Sequence, residues 1–252
     1  MRPVSAPRKV NPEEIRETEL FKGISPPDFE KIFRLAQQKK IEEGAFFFME
    51  GDPVSAIFLM IEGKVKLVQV TPQGQQVIHG YVGKGEVFGL VTALDLPSYP
   101  VSAQAVIDSL ALYWYKRDID RLTESYPRIS RNINRILAQK ILVYQDRIRE
   151  LATQRVERRI ARTLLRLAQQ IGRKTASGVL IDMPLTRQDM AEMTGTTLFT
   201  ASRTLKQWES KGLIYSKRGK VIIRYPHGLV SIAEDFVQEE SPIIALPQRP
   251  KG

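Results

Sequence analysis

The sequence contains no cysteine, and this absence excludes several kinds of chemistry. Without thiols the chain has no disulfide, no cysteine-ligated zinc, no iron–sulfur cluster and no thiol redox sensor. Histidine is nearly as scarce, because only His79 and His227 offer an imidazole to a metal. We therefore expect no metal site and no iron–sulfur cofactor.

Long apolar runs are also missing. A membrane-spanning helix needs roughly 20 consecutive apolar residues, and no segment of the chain approaches that length. Residues 1–14 are mostly polar and lack the apolar region of a secretory signal. The sequence therefore predicts a cytoplasmic protein without a membrane partner.

Positive charge is present in excess and is unevenly distributed. The chain carries a net charge of +10, but residues 128–225 hold 21 Lys and Arg against 7 Asp and Glu, a net +14. The remainder is slightly acidic. Because attraction to phosphates requires clustered cations, this segregation favours a near-neutral sensor joined to a nucleic-acid-binding module. Charge alone leaves a solvated basic helix face as the alternative.

The first half of the chain has the texture of a β-rich domain. Residues 1–20 are polar and proline-containing, and we expect a loose leader that ends in a short charged helix. Residues 21–127 begin with a helical pattern and continue as short β-branched and aromatic runs, separated by turn signals at 50–53 and 71–74. This spacing predicts an antiparallel β-roll of the jelly-roll or cupin-like kind.

A long helix is predicted over residues 128–153, where no proline or glycine interrupts positions 128–152. Its apolar positions step by 4, 4, 3, 4 and 3 residues, close to a heptad repeat. These positions are Ile133, Leu137, Ile141, Tyr144, Ile148 and Leu151. A stripe this narrow favours a parallel homodimer interface, and packing of the helix on its own domain is the alternative.

The C-terminal part of the chain contains the most specific motif. Residues 154–230 predict a helix, a short strand, a helix pair and a β-hairpin, and residues 231–252 form a tail. Thr186 is a suitable N-cap for the first helix of the pair, Gly195 supplies the turn, and Thr197 can cap the second helix. The whole chain is therefore expected to be an α+β protein that ends in a winged helix-turn-helix.

The second helix of the pair has a polar face suited to DNA. Ala201, Leu205 and Trp208 share one face, and Arg203 on the opposite face can donate two hydrogen bonds to a guanine. Side chains near the helix ends and in the hairpin turn are expected to contact phosphates. The predicted DNA-binding residues are Arg187, Thr197, Leu198, Phe199, Thr200, Ser202, Arg203, Lys206, Lys217 and Arg218. An ordinary helical hairpin is the alternative.

These motifs together resemble the CRP/FNR family of bacterial regulators. The likeness covers about residues 20–226 and rests on an early roll hairpin at 50–67, the glycine motif GEVFG at 85–89 and the helix-turn-helix at 186–205. The resemblance implies a cyclic-nucleotide-binding-like roll, an effector near the long helix, and a homodimer that binds a two-fold symmetric operator. It also implies a contact with RNA polymerase.

The same resemblance implies an effector site but argues against cyclic AMP. In cyclic-AMP-binding members an Arg pairs with the cyclic phosphate, whereas here the sole charged residue between positions 90 and 105 is Asp95. We expect a different small molecule. The implied effector-binding residues are Gly89, Leu90, Val91, Tyr99, Tyr144 and Arg147. Arg147 could pair with an acidic metabolite, as in relatives that sense 2-oxoglutarate, although a solvated helix residue is the favoured alternative.

Two further departures concern His79 and Phe199. Some relatives ligate haem near the position of His79, but a lone histidine in an alternating strand favours a structural role, so haem is not expected. Many members carry Glu where this chain has Phe199, and a phenyl ring can contact a thymine methyl but cannot accept from cytosine. We therefore expect a half-site that keeps the guanine contact but differs from the usual TGTGA or TTGAT.

Other function classes are disfavoured by what the chain contains. A ligand-binding module that controls another protein would not carry the winged helix at 186–226. An enzyme is not expected, because the carboxylates lack a paired catalytic spacing and no Gly-rich phosphate loop precedes a helix. An effector-independent regulator remains open.

Overall fold

The computed structural model describes residues 10–217 and 219–234. The N-terminal domain contains α1 (Glu13–Arg16), α2 (Pro26–Arg34), β1 (Gln37–Ile41), β2 (Phe46–Phe48), β3 (Ala56–Val70), β4 (Gln76–Val82), β5 (Val87–Phe88), a 3-10 helix (Leu90–Leu94), β6 (Ser102–Tyr115) and α3 (Lys116–Ser125). Its strands form an antiparallel six-stranded sheet of order β1-β6-β3-β4, with β2 on β6 and β5 on β3. The predicted α+β fold with an N-terminal antiparallel β domain is confirmed.

Strand β3 divides the core of this domain into two layers. Successive side chains of a strand point to opposite faces, so Phe58 and Met60 enter the interior of the roll, where they join an aromatic cluster. Ile57, Leu59 and Ile61 point the other way and pack against the flanking helices. Burial on both faces explains why this stretch is a continuous apolar run rather than an alternating one.

The short charged helix expected at the end of the leader is present as α1, but the expectation of a loose segment is wrong from residue 10 onward. Val10, Ile15 and Leu20 are buried in the cluster between the roll and its helices, and the side-chain amide of Asn132 donates to the backbone carbonyl of Leu20 at 2.8 Å. Three apolar side chains in a polar segment are enough to anchor it to this core. Residues 1–9 lie outside the described residues.

The long helix α4 (Pro127–Thr153) has two halves with different surroundings. In the first half Ile129, Ile133 and Ile136 are buried against the roll, and in the second half the apolar side chains are exposed. Ile133 was expected in the homodimer interface, and that expectation is wrong, because Ile133 is buried against the roll. The two steps of four residues from Ile133 to Ile141 exceed the heptad mean of 3.5, so Ile133 lies on a different face of the helix from the later apolar positions. Leu137 packs partly against the same core.

The C-terminal domain consists of α5 (Val156–Ile171), β7 (Gly172–Thr175), β8 (Gly178–Ile181), α6 (Arg187–Thr194), α7 (Leu198–Ser210), β9 (Ile214–Lys217), β10 (Lys220–Ile223) and α8 (Pro226–Glu234). Its four strands form a sheet of order β7-β8-β10-β9. Two strands, β7 and β8, lie where one short strand was expected. Helix α8 continues through Ser231, the expected start of the tail, and buries Ala233. Residues 235–252 lie outside the described part of the chain.

The two domains share an apolar contact. Val68, Ile78 and Tyr81 from β3 and β4 of the roll belong to the same buried cluster as the core of the C-terminal domain. Lys64 of β3 donates to the backbone carbonyl of Asp182 at 2.6 Å, and Lys66 lies 3.8 Å from the carboxylate of Asp189 in α6. In the described residues no helix is both long and apolar enough to cross a membrane.

Candidate DNA-binding surface and ligand cavity

Helices α6 and α7 are fixed by local hydrogen bonds that the sequence encodes. Thr186 and Asp189 form a reciprocal capping box at the start of α6. Gly195 ends α6 with a φ of 59°, a left-handed conformation that favours glycine, and Thr197 accepts from the backbone N–H of Thr200 to begin α7. The helix-turn-helix geometry is thus set by short-range interactions.

The outward face of α7 carries exposed side chains. Ala201, Leu205 and Trp208 are buried, as the pattern predicts, whereas Arg203 and Lys206 are exposed. In the first turn the apolar side chains of Leu198 and Phe199 are 49% and 74% exposed. Thr197 is exposed, and Thr200 and Ser202 are half-buried. A folded helix that exposes two large apolar side chains beside two cations offers both hydrophobic and charged contacts to a partner.

Arg187 was predicted to contact DNA, but its side chain is held inside the C-terminal domain. Its guanidinium donates to the backbone carbonyl of Ser202 at 2.8 Å and to the carboxylate of Glu209 at 3.2 Å. The hydroxyl of Ser216 donates to the same carboxylate. Arg187 therefore connects the start of α6 to α7 and the wing, and it positions the helix pair instead of being free for a phosphate.

The wing is a hairpin of β9 and β10. Its register pairs Lys217 with Lys220, and both side chains are exposed. Arg218, which the sequence also predicts as a DNA contact in this turn, lies outside the described residues. Two exposed cations at one end of the hairpin can bind DNA phosphates that flank the bases facing α7.

A cavity of about 280 Å³ lies where β4, α4 and α5 meet. Its lining comes from the roll, from α4, from α5 and from the end of α6. The polar and aromatic members include His79, Tyr81, Glu86, Gln139, Lys140, Tyr144, Arg147, Thr163, Arg166 and Gln170. Two of the expected effector residues, Tyr144 and Arg147, are therefore brought together here.

The other four expected effector residues lie outside this cavity. Tyr99 is 1% exposed, stacks on Phe48 with ring centroids 3.8 Å apart, and donates its hydroxyl proton to the carbonyl of Ala56. Leu90 is buried among the helices, and Val91 packs against the aromatic cluster. A side chain at Gly89, with a φ of 71°, would lie 2.9 Å from the carbonyl of Ala56. The segment after β5 folds inward, so we withdraw these four from the proposed site.

Charged side chains of both signs line the cavity. Arg166 pairs with the buried carboxylate of Glu150 at 2.6 Å, and Glu86 accepts from the backbone N–H of Gly83 at 2.6 Å. Burial lowers the pKa of Lys140 and of Arg147, and burial raises the pKa of Tyr144. The carboxylate of Glu86 lines the same cavity and opposes the lowering of the Lys140 pKa. The guanidinium of Arg147 hydrogen-bonds to backbone carbonyls, so it is the cation here that best suits an anion.

Sequence reasoning did not find Lys140, Thr163, Arg166 or Met193 as cavity residues. They belong to three helices that meet only in the folded chain. One signal was available, because Lys140 and Arg147 are seven residues apart and lie on the same face of a helix. No group of three or more metal-ligating side chains is present among the residues that the structure describes.

His79 hydrogen-bonds through its ring to the side chain of Gln69 in β3. Its Nε2 lies 3.2 Å from Oε1 of Gln69, and its ring is perpendicular to that of Tyr144 at 6.3 Å. Burial lowers the pKa of His79, the nearby Arg147 lowers it further, and Glu50 opposes the change. The folded protein therefore favours the neutral imidazole.

The lowered pKa of His79 predicts a pH dependence of stability. Below the ordinary pKa of about 6.5 the unfolded chain binds a proton that the folded chain resists, so the free energy of unfolding decreases as the pH falls. We expect His79→Gln to lose less stability than the wild type between pH 7.5 and about pH 5.5 in urea unfolding. His227→Gln is the control and should keep the wild-type dependence. If the free energy of unfolding depended on pH equally in the wild type and in His79→Gln, His79 would not be the cause of this pH dependence.

Comparison with known proteins gives matches for both domains. Residues 38–126 match the cyclic nucleotide-binding domain family, and residues 158–232 match the Crp-like helix-turn-helix domain family. The chain is 30% identical over 193 residues to the electron transport regulator A of Shewanella oneidensis, covering 77% of this chain and 76% of that protein. It is 24% identical to the CRP-like cAMP-activated global transcriptional regulator of Mycobacterium tuberculosis, covering 81% and 91% respectively.

Solved structures agree with the fold. The structure of FixK2 from Bradyrhizobium japonicum superposes with a TM-score of 0.70 at 21% identity, covering 78% of this chain and 96% of that one. TTHB099 from Thermus thermophilus gives a TM-score of 0.66 at 23% identity, covering 78% and 96%. These two likenesses concern the fold alone.

Proposed function

Because the chain belongs to the CRP/FNR family of transcription regulators, we propose that it binds a two-fold symmetric operator as a homodimer under the control of a small molecule other than cyclic AMP. It is a DNA-binding regulator with a cyclic nucleotide-binding domain and a Crp-type helix-turn-helix. Its relatives are transcription regulators and not enzymes. The operator, the dimer and the small molecule are the proposed parts.

The exposed face of α7 carries the operator proposal. Arg203 and Lys206 are exposed beside Phe199. The side chains that pack α7 onto its domain, Ala201, Leu205 and Trp208, lie on the opposite face. A guanidinium placed in this way can donate to O6 and N7 of guanine in the major groove. We propose that Thr197, Leu198, Phe199, Thr200, Ser202, Arg203, Lys206, Lys217 and Arg218 contact DNA, and that Arg187 positions them.

The second half of α4 supports the homodimer. Ile141, Ile148 and Leu151 are 56%, 67% and 47% exposed, and Tyr144 lies between them on the same face. From Leu137 onward these positions follow the heptad spacing of a two-stranded coiled coil. A second copy of α4 carries the same apolar stripe and would cover this one. The resulting dimer would present two α7 helices, one for each half-site.

The small-molecule proposal rests on the cavity beside α4. It is lined by Lys140, Tyr144 and Arg147, whereas the roll segment 90–105 offers no cation to a cyclic phosphate. Leu90 follows Gly89 where cyclic-AMP-binding members carry an acidic residue, and it is buried. A ligand held by α4 would lie next to both the proposed dimer seam and the helix-turn-helix.

Selection from genomic fragments tests the operator proposal. Purified protein is mixed with fragmented genomic DNA in moderate and in high salt, because nonspecific phosphate binding decreases steeply as salt rises. The expected result is a two-fold motif that survives high salt, with half-site centres about one helical turn apart. Enrichment that disappears in high salt and never yields a motif, with or without an added metabolite extract, would contradict the proposal.

A further prediction concerns the base that Phe199 contacts. The exposed ring can cover the methyl group of a thymine, and burial of one methyl is worth about 0.8 kcal/mol. We expect deoxyuridine at one thymine of each half-site to weaken wild-type binding about fourfold per half-site. The Phe199→Ala variant should not distinguish the two bases, and Gln207→Ala is a control that should distinguish them like the wild type. Equal binding of both bases by the wild type at every thymine would refute this contact.

A further inference from the structure

Arg147 makes an unusual set of contacts. Its guanidinium donates to the backbone carbonyls of Ile78 and His79 in β4 and to the backbone carbonyl of Met193 in α6, with N···O distances of 2.9 Å for Ile78 and 2.5 Å for Met193. We call these three hydrogen bonds the Arg147 clamp. One side chain of α4 thus holds the roll and the helix-turn-helix at the same time, while it lines the cavity.

The roll end of the Arg147 clamp is a β-bulge. In the pairing of β3 with β4, Leu67 faces Gly80 and Val68 faces Ile78, so His79 is the extra residue without a partner. Strand β4 is also the edge of the sheet. Carbonyls at a bulge on an edge strand lie outside the regular ladder and need another donor, which Arg147 supplies.

The other end of the Arg147 clamp is a helix terminus. Met193 is in the last turn of α6, where the carbonyls have no partner within the helix and a cation is favourable. Arg159 of α5 serves the next two carbonyls, because it donates to Thr194 at 2.9 Å and to Gly195 at 3.3 Å. Arg159 also donates to the backbone carbonyl of Gln154 at the end of α4 at 2.9 Å, whereas Arg147 joins α6 to β4.

We infer that Arg147 couples the cavity to the DNA-binding domain: an anionic ligand that pairs with its guanidinium removes the hydrogen bonds from Ile78, His79 and Met193. The docking of α6 on β4 is thereby weakened, because the apolar contact described above then supports it without these hydrogen bonds. This inference rests on the proposed control by a small molecule. Carboxylate and phosphate oxygens form charge-assisted, bidentate hydrogen bonds with a guanidinium, which are stronger than bonds to neutral carbonyls. Lys140 faces the same cavity and would attract the same anion, against the opposing charge of Glu86.

Spin labels can measure the contact between β4 and α6. The chain has no cysteine, so Gln75→Cys in the turn before β4 and Gln188→Cys in α6 create two exposed and unique labelling sites. Labelled protein is diluted with unlabelled protein to suppress distances between copies, and double electron–electron resonance gives the distance distribution. We expect one narrow distance in the otherwise unchanged protein and a broad distribution in Arg147→Met. The expected shift in the docking equilibrium is roughly tenfold or more.

The matched control is Arg149→Met. Arg149 lies on the same helix, is mostly exposed and pairs with Asp146. The Arg149→Met substitution therefore removes the same charge and leaves the Arg147 clamp intact. It should keep the narrow distance. Arg147→Lys serves if Arg147→Met fails to fold, because one ammonium cannot reach three carbonyls and should also broaden the distribution. An unchanged narrow distance in a folded Arg147 variant would overturn the inference.

Two anions test the ligand chemistry in the same samples. Inorganic phosphate and succinate at millimolar concentration represent the phosphate and carboxylate classes. At least one is expected to broaden the distribution in the wild-type background and in Arg149→Met but to leave Arg147→Met unchanged. No effect of either anion would overturn the anionic trigger, even where Arg147→Met broadens the distribution. The readout contains no DNA, so failure of the operator proposal is a separate result.

Discussion

Ile148→Asp is expected to convert the protein into monomers and to abolish operator binding. Ile148 is 67% exposed at the centre of the apolar stripe of α4, where a second copy would bury it. A dimer of this variant would contain two facing carboxylates without partners, and each costs several kcal/mol in a desolvated interface. We therefore expect the dissociation constant of the dimer to rise about a thousandfold or more.

Sedimentation velocity across a concentration series measures this change. Arg149→Asp is the matched control, because Arg149 is the next residue along α4 and lies one position away from the stripe. It adds the same carboxylate to the same helix and should remain dimeric. The proposed interface would be wrong if Ile148→Asp stayed dimeric, or if both variants dissociated equally.

Arg203→Ala is expected to remove the preference for one base pair in each half-site. A bidentate arginine–guanine contact is worth about 1–3 kcal/mol, so a symmetric operator should lose about 2–6 kcal/mol of binding free energy. The loss should be largest for the operator that the wild type prefers. Binding to operators substituted at each position in turn, measured at constant salt, gives the preference position by position.

Lys206→Ala tests whether Lys206 contacts DNA phosphates, in contrast to the base contact expected of Arg203. Lys206 is exposed two positions before Trp208 and, as a single ammonium, is expected to interact mainly with phosphates. Its removal should weaken binding to all operators by a similar factor and reduce the slope of affinity against salt. Loss of base preference in Lys206→Ala but not in Arg203→Ala would reverse the two roles.

The helix-turn-helix could be predicted from the sequence because its signals are local. The caps at Thr186 and Thr197 and the left-handed Gly195 act within a few residues of themselves. The strand texture of the roll was also visible, since strands buried on both faces are rich in apolar residues. Strand β1 was missed, because its sequence QQKKI is polar and it lies at the edge of the sheet.

The ligand cavity could not be predicted in the same way. Tyr99 and Leu90 are close in sequence to a family motif, yet both fold into cores that depend on the whole roll. Arg147 appeared as a charged residue on a helix, and its three acceptors are backbone carbonyls from 46 to 69 positions away, which have no residue-type signal. Ile133 was assigned to the seam because a step of four fits both a heptad and a buried helix face.

Operator spacing tests the central claim most directly. Two half-sites read by one dimer must keep a fixed distance and must lie on the same face of the duplex. We expect an operator with about 5 base pairs inserted between its half-sites, half a helical turn, to bind no better than a single half-site. Unchanged affinity for the lengthened operator would contradict the account, because it would mean that the half-sites are recognised independently.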